Sequence, residues 1–265
     1  MNYSKQELLM DVQGVQLTYD KPILRDVNFQ IHNIVRPGLN QGQVVSLIGR
    51  SGIGKTQLFK ILAGLITPTG GQVKVGEDQH EVQAGEVGVV AQNYLLFSHR
   101  TVYDNLRLAM RHGHPGVSAA EKDKIIDTYA EQFDLGEHLT KYPMLLSGGQ
   151  RQRVSIIQQV LTGNRYILLD EPFSGLDALM IDRVMELLIQ ISTLHELNTL
   201  IIVSHDVENA LAISDTAFIL AREKDKEGAT ITETIDLIEM ELAWNPAIRE
   251  NAKFQHLVAQ IKHKI

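Results

Sequence analysis

The chain has 265 residues, no cysteine and a formal net charge of −7, and 44% of its residues are apolar. This length and composition allow one large domain or two small ones with a sizeable core, and the lack of cysteine excludes disulfides and thiolate metal sites. Lysine and arginine are scattered along the chain, so the electrostatic attraction that dominates nucleic-acid binding is missing and we expect no nucleic-acid partner.

No stretch of the sequence approaches the roughly 18 consecutive apolar residues that are needed to cross a bilayer. Residues 1–5 also lack the apolar segment of a secretory signal. We therefore expect the chain to stay in the cytoplasm.

Seven apolar, β-branched runs predict strands, and helical patterns fall between many of them. The predicted strands are residues 12–19, 27–31, 44–48, 87–90, 166–169, 200–203 and 217–220, and the predicted helices are residues 55–65, 119–133, 149–161, 179–197 and 207–212. The later strands are almost continuously apolar, as in a parallel sheet that is buried on both faces, whereas the first ones alternate as antiparallel strands do. We therefore predict an α/β core with an antiparallel edge.

Three further segments lie outside these strands or between them: the middle of the chain, a charged turn and the C-terminal tail. Residues 94–146 show mainly helical patterning around a breaker cluster at 112–116, which predicts a helical subdomain. Residues 222–228 form a charged turn between two predicted strands. The last segment places an apolar stripe on one helical face, which we expect to dock on its own domain rather than on another protein. The stripe is Phe254, Leu257, Val258, Ile261 and Ile265, and the residues expected to stay solvated are Arg249, Lys253 and Lys262.

A glycine-rich loop follows the strand predicted at 44–48 and leads directly into the helix predicted at 55–65. Its residues are Gly49, Arg50, Ser51, Gly52, Ile53, Gly54, Lys55 and Thr56. The glycines allow a tight turn whose N–H groups, with the helix N-terminus, bind phosphate oxygens. Lys55 would reach the β- and γ-phosphates and the Thr56 hydroxyl would bind Mg²⁺, as in a P-loop. The order of strand, loop and helix disfavours the alternative, a glycine-rich turn without chemical function.

Two acidic residues, Asp170 and Glu171, follow the strand predicted at 166–169. Charge at the end of a buried strand is costly unless a metal ion or another partner meets it. Asp170 is therefore a candidate Mg²⁺ ligand, and Glu171 is a candidate to polarise the water that attacks the γ-phosphate. The alternative is a strand that ends in a solvated turn, which the P-loop upstream makes the weaker interpretation.

The segment Leu146, Ser147, Gly148, Gly149 and Gln150 stands at the start of the helix predicted at 149–161. It matches the ABC signature sequence completely, and the chain resembles ABC ATPases over about residues 8–222. The resemblance implies a P-loop NTPase core with an antiparallel β edge and an inserted helical signature subdomain. The implied divisions are residues 1–93 and 163–225 for the nucleotide-binding core, 94–162 for the helical subdomain, and 226–265 for a C-terminal strand and amphipathic tail.

Other motifs of the family follow in the expected order. Gln92 resembles the Q-loop glutamine, Asp177 belongs to a segment that resembles the D-loop, and His205 resembles the switch histidine. Tyr19 matches the position of an aromatic ring that stacks on adenine. Each has a simpler alternative: a lone glutamine, a helix N-cap at Asp177, a structural histidine, and a tyrosine on a half-buried strand.

The resemblance assigns three sets of residues to ATP and Mg²⁺. It implies that ATP is held by Tyr19, by Gly49 to Thr56 with Gln57, and, across an interface, by Ser147, Gly148, Gly149, Gln150 and Asp177. It implies that Mg²⁺ is held near Thr56, Gln92 and Asp170. It implies that Glu171, His205 and Gln92 act in hydrolysis.

In ABC ATPases the signature and the P-loop of one chain are too far apart to hold one nucleotide. The resemblance therefore implies two chains packed head to tail, expected as a homodimer, and docked through a transmembrane permease on the inner face of the membrane. A single nucleotide domain is similar to bacterial importers, above all to those for nitrate, sulfonate and taurine, in which an extracytoplasmic solute-binding protein is a further partner.

The sequence departs from the family's pattern in three places. Residues 33–41 are longer than the usual turn before the P-loop strand, Ala91 stands where the family often has Phe, and residues 156–159 replace an alanine- and arginine-bearing stretch. Two other functions stay open: a soluble ABC ATPase outside transport, and a non-catalytic nucleotide-binding scaffold. The short distance between Thr56 and Asp170 leaves no room for the long coiled coil of chromosome-maintenance relatives, and Glu171 disfavours a scaffold.

Overall fold

The computed structural model describes residues 3–38, 42–193 and 197–265. The strands are β1 (Ser4–Thr18), β2 (Pro22–Val35), β3 (Gln43–Ile48), β4 (Gly70–Val75), β5 (His80–Glu81), β6 (Val87–Val90), β7 (Tyr166–Asp170), β8 (Thr199–Ser204), β9 (Thr216–Ala221) and β10 (Thr230–Asp236). The helices are α1 (Lys55–Leu62), α2 (Val102–Gly113), α3 (Ala119–Gln132), α4 (Gly148–Leu161), α5 (Ala178–Ser192), α6 (Val207–Ile213) and α7 (Ala252–Lys264), with short 3-10 turns at Gly136–His138, Pro143–Leu145 and Ile248–Glu250. No helix among these described ranges is long and apolar enough to span a membrane.

The central sheet has the strand order β10-β9-β3-β8-β7-β6. Its strands from β9 to β6 run parallel, and β10 pairs antiparallel with β9. Every residue of β3 and β8 is buried, which is why the sequence of these strands is apolar without alternation. The parallel arrangement brings the carboxyl ends of β3, β6, β7 and β8 to one edge, where the loops that carry the predicted site begin.

A second, antiparallel sheet has the order β2-β1-β4-β5 and packs on the first. Its inner side chains share one apolar core with β3, β7 and α1, and the rings of Phe29 and Phe218 meet across the two sheets at 4.5 Å between centroids. This confirms the predicted antiparallel edge. Strands β4 and β5 have no counterpart in the sequence prediction, because β4 begins with Gly70 and Gly71 and β5 is two residues long.

The connection before the P-loop strand is shorter than predicted, because β2 continues to Val35 instead of ending at Ile31. Asn33 lies within the strand and its side-chain amide donates to Glu7 at 2.9 Å. Residues 36–38 follow β2, and the remainder of the segment predicted at 33–41 lies outside the described residues.

Two predicted helices are too long. Helix α1 ends at Leu62 rather than at residue 65, because Gly64 has a φ of +67° and turns the chain away from the helix axis. Helix α5 ends at Ser192, and Leu197 already leads into β8, so the predicted helix 179–197 is wrong at its end; residues 194–196 lie outside the described part.

Helices α2, α3 and α4 account for the helical pattern of the middle of the chain. Thr101 and Ser118 accept the capping N–H groups at the starts of α2 and α3. Their apolar faces join the side chains of β7, β8 and α5 in one cluster. Since that core is continuous, the division of the chain at residues 93, 162 and 225 stays a prediction.

The C-terminal helix docks on its own domain, as predicted. Phe254, Leu257, Val258 and Ile261 are buried against α6 and β9, and Ile265 is partly buried at the same cluster. The Arg249 side chain is 38% exposed, so it remains partly solvated as predicted, but it also binds other helices. Its guanidinium donates to Asp182 on α5 at 2.7 Å and to Asn209 on α6 at 2.8 Å, so it ties the tail to both helices.

Candidate functional site: the carboxyl edge of the parallel sheet

The phosphate loop connects the end of β3 at Ile48 to the start of α1 at Lys55. Gly52 and Gly54 have φ angles of +75° and +120°, which residues with a side chain rarely adopt. Within the described residues, the N–H groups of Ser51, Gly52 and Gly54 donate to no protein acceptor. Unpaired N–H groups at a helix N-terminus form a binding site for phosphate, so the loop fits the phosphates of a nucleotide.

The Lys55 ammonium group lies over this loop. Its Nζ donates to the carbonyl oxygens of Gly49 at 2.8 Å and of Arg50 at 3.3 Å, and it lies 3.4 Å from Oε1 of Glu171. Lys55 is buried. The lysine of the first motif and the carboxylate of the second are thus in contact, although 116 positions separate them in the sequence.

The Glu171 carboxylate is surrounded by hydrogen-bond donors. It accepts from the Ser204 hydroxyl at 2.9 Å and from the His205 backbone N–H at 3.1 Å, and Nδ1 of His205 lies 2.8 Å away. Its backbone has a φ of +50°, a conformation that costs a non-glycine residue about 1 kcal/mol. The Glu171 N–H donates to the Val203 carbonyl at 2.8 Å, which anchors this turn to β8. Glu171 therefore joins the predicted switch histidine to the phosphate loop.

Asp170 lies beside Glu171 at the end of β7. Burial raises the pKa of the Asp170 carboxyl and the neighbouring charge of Glu171 raises it further, while Lys55 partly offsets both effects. A divalent cation at this position would compensate the buried negative charge. The carboxylate therefore fits a role in holding Mg²⁺.

Gln92 and Tyr19 lie at the border of this group. Gln92 is exposed and follows β6, whose Val90 pairs with Leu169 of β7, so it starts from the same sheet edge as Asp170. Tyr19 follows β1, is 60% exposed, and its hydroxyl donates to Gln57 on α1 at 3.3 Å. Its ring is therefore free to stack on a planar ligand above the first turn of α1.

The signature residues form the start of α4. Ser147 accepts the N–H of Gln150 at 3.3 Å, and the Gln150 side chain accepts the N–H of Ser147 at 2.9 Å, which completes a capping box. Asp177 likewise caps α5 by accepting the N–H of Met180 at 2.9 Å. No hydrogen bond or ion pair of the described residues joins Ser147 or Asp177 to the phosphate loop. The structure therefore brings Lys55, Asp170, Glu171 and His205 together and leaves the signature apart.

The order of these motifs agrees with a known family model. A model described as ABC transporter matches residues 32–174. The chain belongs to this family. The sulfate/thiosulfate import ATP-binding protein of Agrobacterium fabrum is 35% identical over 235 residues, which cover 85% of this chain and 64% of that protein. A nitrate transport protein of Klebsiella oxytoca is 31% identical over 262 residues, which cover 96% of this chain and 95% of that protein.

Solved structures of ABC proteins share the fold. A subunit of an ABC transporter complex of Clostridium perfringens has a TM-score of 0.73 at 20% identity and covers 97% of this chain and 100% of that one. A dimeric bacterial ABC transporter cassette has a TM-score of 0.70 at 25% identity, with 86% and 99% covered. A bicarbonate transport ATP-binding protein of Synechococcus elongatus is 38% identical over 182 residues, which cover 69% of this chain. The matched residues span only 27% of that protein and 64% of the Agrobacterium relative, so this chain covers only part of the length of these relatives.

Sequence reasoning missed three residues that shape this ABC site. Ser204 holds Glu171, and only its place beside His205 hinted at such a role. His138 lies 2.9 Å from the Gln150 side chain and so supports the signature turn. Asn105 is buried and ties the loop after Gln92 to α2, because its side chain bonds both the N–H and the carbonyl of Phe97. No motif marks His138 or Asn105 in the sequence.

Proposed function

We propose that this ABC protein is the ATP-hydrolysing subunit that powers a transporter. The observation that carries the proposal is the contact of Lys55, Glu171 and His205 at the mouth of the phosphate loop. This arrangement places a cation for phosphate, a carboxylate for water and a hydrogen-bonding imidazole within reach of one another. Membership in the ABC transporter family supports the same assignment.

Each of these side chains has a distinct task in the proposed hydrolysis. The loop N–H groups and Lys55 hold the phosphates of ATP and neutralise their charge. Glu171 orients the attacking water and accepts its proton, while His205 binds the γ-phosphate and fixes the direction of the Glu171 carboxylate. Gln92 places a side-chain amide beside the same water.

The donors for a metal ion are the Thr56 hydroxyl, the Asp170 carboxylate and the Gln92 amide oxygen. These are the oxygen ligands that Mg²⁺ prefers, and such an ion neutralises phosphate charge when bound. Asp170 is half-buried with a raised pKa, so it gains most from a nearby cation. We therefore propose Mg²⁺ as the cofactor.

The separation of the signature from the phosphate loop supports a dimer. In our proposal, Ser147, Gly148, Gly149, Gln150 and Asp177 of one chain complete the ATP site of the other, and Tyr19 stacks on adenine. The dimeric cassette that resembles this chain is consistent with this arrangement. ATP then links the two chains, and hydrolysis releases them.

Exposed apolar side chains support a permease contact beside the site. Leu95 and Phe97 follow Gln92, and Tyr142, Met144 and Leu145 precede the signature. The N–H of Val102 donates to the Lys141 carbonyl at 2.8 Å, which joins the two segments at the start of α2. We propose that a transmembrane permease docks on this apolar surface and holds the subunit at the inner face of the membrane.

Relatives named for sulfate, bicarbonate and nitrate transport support import of a small inorganic anion. A solute-binding protein outside the membrane would then deliver the cargo. Co-purification with a membrane permease is expected, and enrichment with nucleic acid instead would favour a soluble ABC ATPase outside transport.

The catalytic assignment is tested by Glu171→Gln. The variant keeps the oxygen that accepts from Ser204 and His205 but loses the charge that takes up the proton, so we expect it to bind ATP while turnover falls by about 100-fold or more. Turnover is measured as Mg²⁺-dependent phosphate release, with Glu227→Gln, which changes an exposed loop carboxylate, as the control. Wild-type protein that shows no activity even with its permease would contradict the proposal and favour a scaffold.

A further inference from the structure

A cavity of about 430 Å³ lies between α2 and α3, on helices that carry none of the predicted nucleotide-binding residues. Its lining residues are Arg100, Asp104, Arg107, Leu108, Arg111, Ala119 and Lys122. Four of the seven are cations and one is a carboxylate. This is a concentration of positive charge in a chain whose net charge is −7.

Lys122 is the one described residue lining this cavity that is both charged and largely buried. It is only 8% exposed, and its side chain makes no hydrogen bond or ion pair with any residue that the structure describes. The aliphatic stem of Lys122 is buried, whereas its ammonium nitrogen keeps contact with solvent where the side chain lines the cavity. Because no carboxylate of the described residues pairs with it, this ammonium group is available to an anion that enters the cavity.

The other charges of the cavity do not neutralise Lys122. Among the described residues, the guanidinium groups of Arg100 and Arg111 have no carboxylate within ion-pair distance, and Arg100 instead lies 5.9 Å from the Phe97 ring. Asp104 accepts the Thr101 hydroxyl at 2.8 Å. These contacts leave the cavity with excess positive charge.

Two acidic side chains of α3 lie close to the cavity but do not line it. Asp123 is 3.6 Å from Arg107, and its hydrogen bond with the Tyr103 phenol, together with burial and the Asp123 charge, raises the pKa of that phenol to about 12. Glu121 is exposed in the first turn of α3. Asp123 thus offsets the charge of Arg107 alone.

We propose that this cavity binds a small polyanion of the phosphate or pyrophosphate type, held by Lys122 at the base and by Arg100 and Arg111 at the rim. A phosphate matches the forked geometry of arginine and carries enough charge to balance several cations at once. The first turn of α3, at Ala119, adds N–H groups that favour the same kind of ligand. A bound polyanion would join α2 to α3. This site is independent of the proposed ATPase activity.

The test uses inorganic pyrophosphate as the probe and isothermal titration calorimetry on the full chain. Because the phosphate loop also binds such anions, Lys55→Ala is the background that weakens that site. In this background we expect pyrophosphate to bind still, and Lys122→Met to weaken the remaining binding by about tenfold or more. Lys124→Met is the matched control, since Lys124 is exposed on the same helix and does not line the cavity.

Thermal unfolding gives a second measurement that does not depend on the loop. Pyrophosphate should raise the melting temperature of the Lys55→Ala and Lys55→Ala/Lys124→Met proteins, and should have little effect on Lys55→Ala/Lys122→Met. Loss of all pyrophosphate binding in Lys55→Ala alone, or equal binding by the Lys122→Met and Lys124→Met proteins, would overturn the proposal.

Discussion

Asp215 is a carboxyl group buried beside the start of β3. It is 2% exposed, and its side chain accepts the N–H of Val44 at 2.7 Å. Burial raises the pKa of Asp215 to about 7, although the Val44 hydrogen bond opposes the shift. The unfolded chain has the ordinary aspartate pKa of about 3.9. Between these two values, the folded chain holds a proton that the unfolded chain has lost.

This residue predicts a pH dependence of stability. Because the folded state binds the extra proton, the contribution of Asp215 to the free energy of unfolding falls as the pH rises from about 4 to about 7. The slope is at most about 1.4 kcal/mol per pH unit. Above about pH 7 the contribution is constant, because both states have lost the proton. Asp215→Asn removes the titration while keeping an oxygen for Val44. We expect urea unfolding to show that wild type loses stability relative to this variant between about pH 4 and about pH 7, with no further change above that.

The control for this experiment is Asp225→Asn, which changes an exposed carboxylate in the turn before β10. Its difference from wild type should stay nearly constant over the same pH range. A constant difference for Asp215→Asn as well would show that Asp215 ionises freely in the folded state.

At the scale of elements, α7 closes the apolar cluster of α6, β9 and β10. Asn251 caps its start by accepting the N–H groups of Lys253 and Phe254. The helix buries one face and carries charges on the other, so its stability comes from packing rather than from its own sequence. Arg249 adds a polar link to α5 and α6 at its base.

The docking of α7 predicts the effect of truncating its largest buried side chain. Phe254 is 1% exposed, so Phe254→Ala should lower the free energy of unfolding by about 3 to 5 kcal/mol through lost burial and a cavity. Chemical denaturation measures this change, with the exposed His263→Ala as the control on the same helix. Unchanged unfolding together with loss of ATP-induced dimerisation would assign the helix to an interface instead.

At the scale of the whole molecule, the signature and the phosphate loop are separate parts of one chain. The Ser147 capping box orders the signature turn through bonds within one chain. Gly148 lies at its centre, and a Cβ there would meet no atom within 4 Å. A side chain at this position therefore leaves the fold of the single chain intact.

The proposed dimer predicts the effect of Gly148→Asp. The new carboxylate would face the phosphates bound by the partner chain, so ATP-induced dimerisation of the Glu171→Gln protein should be lost by charge repulsion and steric conflict. An acidic residue in the first turn of α4 favours the helix, so melting should change little. Size-exclusion chromatography with ATP and Mg²⁺ measures the dimer. Gly116→Asp, in an open loop, is the control, and dimerisation that survives Gly148→Asp would contradict the head-to-tail arrangement.

The sequence predicts an element most accurately where burial alone sets its residue pattern. Fully buried strands such as β3 and β8 were predicted to within one residue at either end, because apolar composition follows directly from burial on both faces. Helix ends were less accurate, since the end of α1 depends on the turn at Gly64. Strand β4 was missed because its pairing with β1 compensates for its two glycines.

The sequence alone determined the chemistry that we propose for this chain, because a phosphate loop needs glycines, a lysine and a hydroxyl at set spacing within strand, loop and helix. The signature pentapeptide at residues 146–150 by itself indicates the ABC family. Only the tertiary structure decided that Glu171 is held by Ser204, His205 and Lys55, and that Lys122 lines a cavity together with three arginines. Those facts depend on distances between residues far apart in the chain, and no local pattern encodes such distances.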